Sequence, residues 1–271
     1  MTSPAPDLSI VIITLNVEKV IKVCLNSVAW ADEIIIVDSG STDLTLKMAA
    51  EFPNVKLMHQ DWLGFGLQKQ FAVKQAKHDW VLCLDADEWL NPTLAHHIKT
   101  LAATLTSDPK TTQFMAYDFA RSNQFLGRYL RHGEGYPDYS LRLFHRKHAN
   151  WSDHTVHEFV ICPSKVGRIQ GDLMHQTGWS VFHYLSKQND YTSLQAQQLS
   201  AKSQNQNNTI LKILFSPLFR FIKFYVLKRG FLDGIPGLVH ILIGCFNTFI
   251  KYVKLYEIHQ KNQQNDIDNK K

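Results

Sequence analysis

The residues Asp85-Ala86-Asp87-Glu88 close the apolar run Trp80-Val81-Leu82-Cys83-Leu84. Two carboxylates one residue apart at a strand end can hold a hard divalent cation. Mg2+ or Mn2+ typically takes one or two carboxylates together with substrate phosphates. Along a strand, residues i and i+2 share a side, so Asp85 and Asp87 are expected to act together. The chemistry implied is a metal–diphosphate site. An acid-rich approach to a helix is the plainer reading of the same residues, because Asn91-Pro92 follows as a candidate N-cap and first helical position.

The elements that must position these carboxylates lie upstream. Residues 8–15 (LSIVIITL) are β-branched and apolar, too short for a helix, and read as a strand buried on both faces. Apolar residues over 17–30 recur at helical spacing. Residues 33–37 are a second strand that ends at Asp38-Ser-Gly-Ser-Thr-Asp43, a tight loop in which Asp43 can cap a helix over 44–52. Residues 55–59 and 80–84 are the third and fourth strands, with a helix over 65–76 between them, and Asn91 opens a helix through Leu105. Apolar strands alternating with amphipathic helices predict parallel βαβ units, whose ligands sit outside the carboxyl ends of the strands. Thr14 and Asn16, then Asp38, then Asp85 and Asp87 fall at those ends.

Composition narrows the class. The chain has 271 residues, 45% hydrophobic and 20% charged, enough for one large globular domain or a domain with an appendage. Cys24, Cys83, Cys162 and Cys245 are far apart with no C-x-x-C pair, which suits free thiols in a reducing compartment. The first residues lack a basic n-region, so no signal peptide is expected. No G-x-G-x-x-G follows the first strand and no G-x-x-x-x-G-K-[ST] occurs, which disfavours dinucleotide and P-loop chemistry. The formal charge of +5 comes from basic residues mixed with acids, and no nucleic-acid motif appears, so nucleic acid is not an expected partner.

From residue 113 the pattern changes. Residues 114–121 and 139–146 read as strands, 125–135 as a loop rich in Arg, His and Gly, and 154–161 contain Val156-His157-Glu158. Residues 180–208 read as a Gln- and Asn-rich helix. Residues 209–228 are strongly apolar, with Lys212, Ser216, Arg220 and Lys223 on one narrow helical face and Pro217 expected to kink the helix. Residues 231–250 are mostly apolar but interrupted by Asp233, Pro236, His240 and Asn247. Between Thr209 and Glu257 stand seven Lys or Arg against two acids. A wide apolar face with a cationic stripe suits a helix lying in the headgroup region of an anionic membrane. Ordinary core packing and a span over 231–250 are the alternatives. The polar end is expected to be disordered.

Four runs in order, Ser9-Ile-Val-Ile-Ile-Thr-Leu-Asn16, Ile36-Val-Asp-Ser-Gly-Ser-Thr-Asp43, Gly64-Phe-Gly-Leu-Gln-Lys69 and Leu84-Asp-Ala-Asp-Glu88, resemble the inverting family 2 glycosyltransferases over residues 8–175. Val28-Ala-Trp-Ala-Asp-Glu33, Tyr136-Pro-Asp-Tyr139, Arg142-Leu-Phe144, Val156-His-Glu158 and Gly230-Phe-Leu-Asp-Gly234 resemble a narrower branch, the lipopolysaccharide core β-1,4-glucosyltransferases. The resemblance implies an α/β GT-A fold: a mixed, mainly parallel sheet flanked by helices, with a C-terminal helical membrane-associating appendage. The chain then divides into a nucleotide-sugar-binding half (1–110), an acceptor-side half of the same domain (111–179), a membrane-surface module (180–258) and a polar tail (259–271). The activity implied is metal-dependent, inverting transfer of glucose from UDP-glucose to a heptose of the lipid-anchored inner core. It would take place at the cytoplasmic face of a bacterial inner membrane, with the protein attached peripherally.

By the same resemblance Asp38 contacts the nucleotide base, and Thr14 and Asn16 line the base and ribose pocket. Lys69 supports the donor and Asp85 the ribose and diphosphate. Asp87 ligates Mg2+ or Mn2+, with His157 as a second ligand. Asp138 and Glu158 both remain open as the base that takes the acceptor hydroxyl's proton, with Asp138 favoured. The chain departs from the family pattern at Val17-Glu18, where an acid often follows the Asn, and at Gln70, which replaces an Asn. Arg121, Arg128, Arg131, His132 and Arg142 make the middle segment basic, which fits a phosphorylated, acidic acceptor. The rival readings are another UDP-sugar or a polyprenyl-phosphate acceptor, a nucleotidyltransferase, and a non-catalytic sugar-nucleotide binder. A nucleotidyltransferase would want a Gly-rich phosphate loop that residues 14–22 do not supply, and a non-catalytic binder would tolerate loss of Asp87.

Overall fold

Four parallel strands in the order β3-β2-β1-β4 make the first half of a mixed sheet: β1 (Leu8–Thr14), β2 (Glu33–Asp38), β3 (Val55–His59) and β4 (Trp80–Asp85). The computed structural model describes residues 7–105, 113–153, 158–176, 181–202 and 206–268. The unbroken apolar runs of β1, β2 and β4 follow from burial on both faces. Ile10, Ile12, Ile34, Ile36, Leu82 and Leu84 face one layer with α1 (Ile21–Val28) and α4 (Pro92–Ala102). Val11, Ile13, Ile35, Val37, Val81 and Cys83 face the other with α3 (Phe65–Lys74). The remaining helix of this half, α2 (Thr45–Ala49), is short. Asn91 caps α4 as expected, with Leu94 N donating to its Oδ1 at 2.8 Å and Pro92 in the first turn. The first helix is shorter than its apolar periodicity suggested, because residues 17–20 form a turn instead.

The register places the chemistry. Thr14 pairs with Asp38 and Ile13 with Asp85, so the polar strand ends line up at one edge. β8 (Asp138–His145) runs antiparallel to β4, Trp80 pairing with His145 and Leu82 with Leu143. Beyond those pairs Arg142 of β8 reaches Asp85 at the end of β4. β6 (Ala116–Phe125) follows, with Arg121 opposite Asp138. β11 (Val166–His175) and β5 (Glu88–Leu90) complete the order, His175 pairing with Glu88. β7 (Arg128–Tyr129) pairs with the end of β6, and β9 (Asn150–Trp151) with β10 (Val160–Ile161) form a separate ribbon.

The chain forms two compact units. One holds the sheet. The other joins Asn123–Pro137 to the C-terminal helices: α5 (Val181–Lys202), α6 (Gln206–Phe221) and α7 (Gly234–Asp268). α6 passes through Pro217 and widens into a π-helical turn over Ile222–Leu227. Arg229 then takes a left-handed conformation (φ 54°) that reverses the chain into α7. Pro236 sits in the first turn of α7, where its missing N–H is not needed, so it interrupts nothing. The polar end expected to be disordered continues α7 as helix to Asp268.

Candidate active site

Asp38 ends β2, and its carboxylate is taken up by its own loop. Oδ1 accepts from Thr14 Oγ1 at 3.0 Å and from the Ser41 hydroxyl. Oδ2 accepts from Gly40 N at 2.8 Å and Ser41 N at 2.7 Å. A carboxylate has about four acceptor positions, and this set occupies them. Burial pushes Asp38 up, but the bonds from Ser41, Gly40 and Thr14 outweigh it and hold the carboxyl below its ordinary value. Asn16, at φ 53°, grips the same loop: its Oδ1 accepts from Thr42 N and its own N–H donates to Ser41 Oγ, both at 2.9 Å. Thr14, Asn16 and Asp38 thus build one rigid loop at the edge of the sheet.

Asp85 ends β4 between two cations. Lys69 Nζ lies 2.8 Å from Oδ1 and Arg142 Nη2 2.9 Å from Oδ2. Glu88, fully buried, accepts from Arg142 Nη2 at 3.0 Å and Arg121 Nη1 at 3.4 Å, and its Oε2 accepts from Asp85 N at 3.0 Å. The Arg142 guanidinium and the Lys69 ammonium both lie over the Trp151 ring, at 5.4 and 4.7 Å. Burial alone would raise the Asp85 pKa, yet Lys69 and Arg142 hold it far below the usual carboxylate range. Burial disfavours charge on Arg142, but Glu88 and Asp85 raise it above its ordinary value. Lys69 is therefore a buried ion-pair residue at the site, not a solvated lysine on a helix face. Arg121 and Arg142, expected to face the acceptor, are engaged with these carboxylates, and Arg128, Arg131 and His132 belong to the helical unit.

Replacing Arg142 by Leu removes the cation from two carboxylates at once. Breaking a buried pair by deleting one partner costs about 3–5 kcal/mol, so Arg142→Leu is expected to lower the melting temperature by roughly 10 °C for a chain of this size. The pH dependence has a definite sign. The depressed Asp85 pKa contributes stability that is full at neutral pH and is lost only as pH falls through the lowered value. In Arg142→Leu that loss moves up toward the ordinary carboxylate range, as a melting series against pH would record.

Gly66 sets the approach of α3 to this cluster. A Cβ there would lie 2.2 Å from Ser152 O and 3.3 Å from Glu158 Cβ. Glu158 Oε1 in turn accepts from Lys69 Nζ at 3.1 Å. Gly66→Ala must push back the wall that carries Glu158, and overpacking of this kind costs about 1–3 kcal/mol. Denaturation in urea, comparing midpoints at equal slope, checks it.

The chain turns at Ala86-Asp87, and His175 Nε2 lies 3.4 Å from Asp87 Oδ2; the same imidazole also helps to lower the Asp85 pKa. His157 lies outside the described residues. His175 ends β11, a strand whose glycines hide it in the sequence. Among the described residues no group of three or more His, Cys, Asp or Glu side chains could hold a metal ion. The Asp87 carboxylate suits Mg2+ or Mn2+, which leave most positions to substrate phosphates and water, and the neighbouring imidazole suits Mn2+ less well than a carboxylate would.

Asp138 opens β8. Its Oδ2 accepts from Arg121 Nε at 2.9 Å and Nη2 at 2.7 Å. Arg121 also reaches Glu88 through Nη1 at 3.4 Å, which ties Asp138 to the carboxylates that follow β4. Both candidate bases are ion-paired, Asp138 to Arg121 and Glu158 to Lys69. The Asp138 side chain is the more open, 37% exposed against 20% for Glu158. A base must meet an acceptor hydroxyl, so this difference favours Asp138.

Residues 9–166 match the model of the family described as glycosyl transferase family 2. The lipopolysaccharide core biosynthesis glycosyltransferase LpsC of Rhizobium meliloti (strain 1021) is 27% identical over 271 residues, covering 98% of this chain and 97% of the relative. An uncharacterized glycosyltransferase of Rickettsia bellii is 30% identical over 263 residues, 93% of this chain and 86% of the relative. A mannosyltransferase of Pyrobaculum calidifontis, solved in complex with GDP-Man and Mn2+, aligns over 97% of this chain and 88% of its own, with a TM-score of 0.50 and 14% identity. That likeness is one of fold.

Proposed function

We propose that this chain, which belongs to glycosyl transferase family 2, moves glucose from UDP-glucose to a heptose of the lipopolysaccharide inner core, with inversion to a β linkage. The observations that carry the chemistry are Asp87 beside His175 and Asp138 held by Arg121, which also reaches Glu88 next to Asp87. The acceptor class draws support from LpsC, whose name is that of a core biosynthesis enzyme and which aligns with nearly the whole chain.

The loop fixed by Thr14, Asn16 and Asp38 receives the base and ribose of the donor. Lys69 and Asp85 fix the diphosphate side of the pocket through a charge-assisted pair. Asp87 and His175 hold Mg2+ or Mn2+, which when bound offsets the negative charge gained by the departing UDP. Asp138 takes the proton of the acceptor hydroxyl as its oxygen attacks the anomeric carbon on the face opposite UDP. Arg121 holds the Asp138 side chain in place, and Glu158 positions Lys69. The helical unit attaches the protein peripherally to the cytoplasmic face of the inner membrane, where a lipid-anchored acceptor is presented.

UDP release with UDP-glucose, UDP-galactose and UDP-N-acetylglucosamine, with inner-core lipopolysaccharide as acceptor, tests donor and acceptor together. The expected result is acceptor-dependent release from UDP-glucose, with a β anomeric proton in the product. Preference for a second donor would replace the sugar and keep the site. Release from none of the three would sink the reading.

A further inference from the structure

We propose that the turn joining α6 to α7, with the cationic connector at residues 128–132, is a wedge that docks on the phosphates of an anionic lipid bilayer. The proposal rests on the membrane-surface reading above and gives it a site. Within the polar stripe of α6, Arg220 turns inward, bonding Glu134 of the connector and, at 3.1 Å, Thr248 Oγ1 of α7, while Lys212 and Lys223 stay exposed. Leu211, Leu214, Leu218 and Phe219 lie exposed. α7 has the length and composition of a membrane span. Its inner face is nonetheless tied to α5 by Asn247 donating to Gln188 at 2.9 Å and by Lys254 bonding Asn189 and Thr192 at 2.8 Å. Those polar contacts hold α7 in the bundle and leave only one apolar side for lipid.

On α6, α7 and the turn between them, the large apolar side chains are most exposed at the turn. Leu227 is 73% and Ile235 74% exposed, and Phe231 and Leu232 are about half exposed beside them. The turn is held from within by Asp233, buried, which accepts from Arg131 N at 2.9 Å and His132 N at 2.7 Å. Arg128 Nη2 donates to Leu232 O at 3.1 Å, and Gly133 N to Lys228 O at 2.9 Å. A Cβ on Gly230 would meet Ile241 Cδ1 at 2.3 Å, so glycine lets the turn close on α7. Apolar side chains on a turn braced in this way need little ordering when they enter a bilayer.

Charge identifies the occupant. In residues 126–137 and 222–240 the only acids are Glu134 and Asp233. Glu134 is paired with Arg220, and Asp233 faces His132 and Arg128. What the turn shows to solvent is therefore cationic: Arg128, Arg131, Lys228 and Arg229 are all exposed, next to Leu227, Phe231 and Ile235. Apolar side chains ringed by cations match the acyl–headgroup boundary of an anionic leaflet.

Co-sedimentation of the full chain with phosphatidylcholine vesicles, with and without phosphatidylglycerol, tests the wedge. Two variants are compared with wild type: Lys228→Gln with Arg229→Asn, the Asn tolerating the left-handed backbone, and Leu227→Glu with Ile235→Glu. All four side chains are exposed, so melting temperatures should hold. Wild type is expected to prefer the anionic vesicles. Loss of two cations near such a surface should weaken binding about thirtyfold, and the double glutamate variant should lose binding as well. UDP release with a delipidated, water-soluble inner-core acceptor should be unchanged in both. Variants that bind like wild type, or equal wild-type binding to both vesicle types, would overturn the wedge. Absence of vesicle binding with intact soluble turnover would overturn the wedge and leave the transferase reading standing. Charge-dependent binding without turnover would support the wedge and remove the transferase reading.

Discussion

Asp138→Asn is expected to lower kcat about 10²- to 10⁴-fold, the range general-base removal commonly gives, while UDP still binds. Asp138 opens β8, and its carboxylate is oriented by two N–H donors of Arg121, whose Nη1 also reaches Glu88 beside Asp87. Asn keeps the shape and one acceptor oxygen but cannot take a proton. Glu158→Gln is the informative companion. Glu158 contacts Lys69, which contacts Asp85, so its loss should raise KM for the donor more than it lowers kcat. Steady-state kinetics on both variants separates the roles. A collapse of kcat in Glu158→Gln with near-normal Asp138→Asn would exchange them.

Asp87→Ala should cost about 10²- to 10³-fold in turnover, the scale on which losing one preorganised electrostatic contact to developing charge is felt. Stability should change little, because Asp87 sits in a turn, 29% exposed, with His175 as its side-chain neighbour. That separates it from Arg142→Leu, which should unfold the protein at lower temperature before its activity can be read. His175→Ala should show a milder loss together with a raised requirement for Mn2+, since one of two protein ligands remains. Turnover of Asp87→Ala at the wild-type level, with or without Mn2+, would remove this residue from the chemistry.

Much of the catalytic frame is legible because burial leaves a plain trace. Strands covered on both faces are apolar nearly throughout, and residues 10–13, 34–37 and 80–84 show this; polar residues at their ends then stand out. The GT-A fold expected from the motifs is the one found, with flanking helices and a long apolar C-terminal helix. Asn91-Pro92 is a local signal with a local cause, and it holds. What the sequence hides is non-local. β5 has three residues, and β11 carries Gly167 and Gly171, so neither shows the enriched alternation of a strand. His175 is hidden along with β11. Glu88 looks in sequence like part of an acidic run, yet the end of the β5–β11 pairing buries it against two arginines. Helical periodicity gives the faces of α6 but not which one looks outward. The Arg220–Glu134 pair shows that Arg220 of the polar stripe turns in, while Lys212 and Lys223 stay exposed. The cations at 128–132 look equally suited to an acceptor in sequence, and their attachment to the helical unit depends on contacts about a hundred residues apart, such as Arg131 to Asp233.

The most direct measurement is transfer of labelled glucose from UDP-glucose into inner-core lipopolysaccharide by the purified full chain, with Mn2+ and then with a chelator. The account expects label in the lipopolysaccharide with one UDP released per glucose transferred, and none once the cation is removed. Label found only as free glucose, or UDP-glucose bound and left intact beside a competent acceptor, would contradict it.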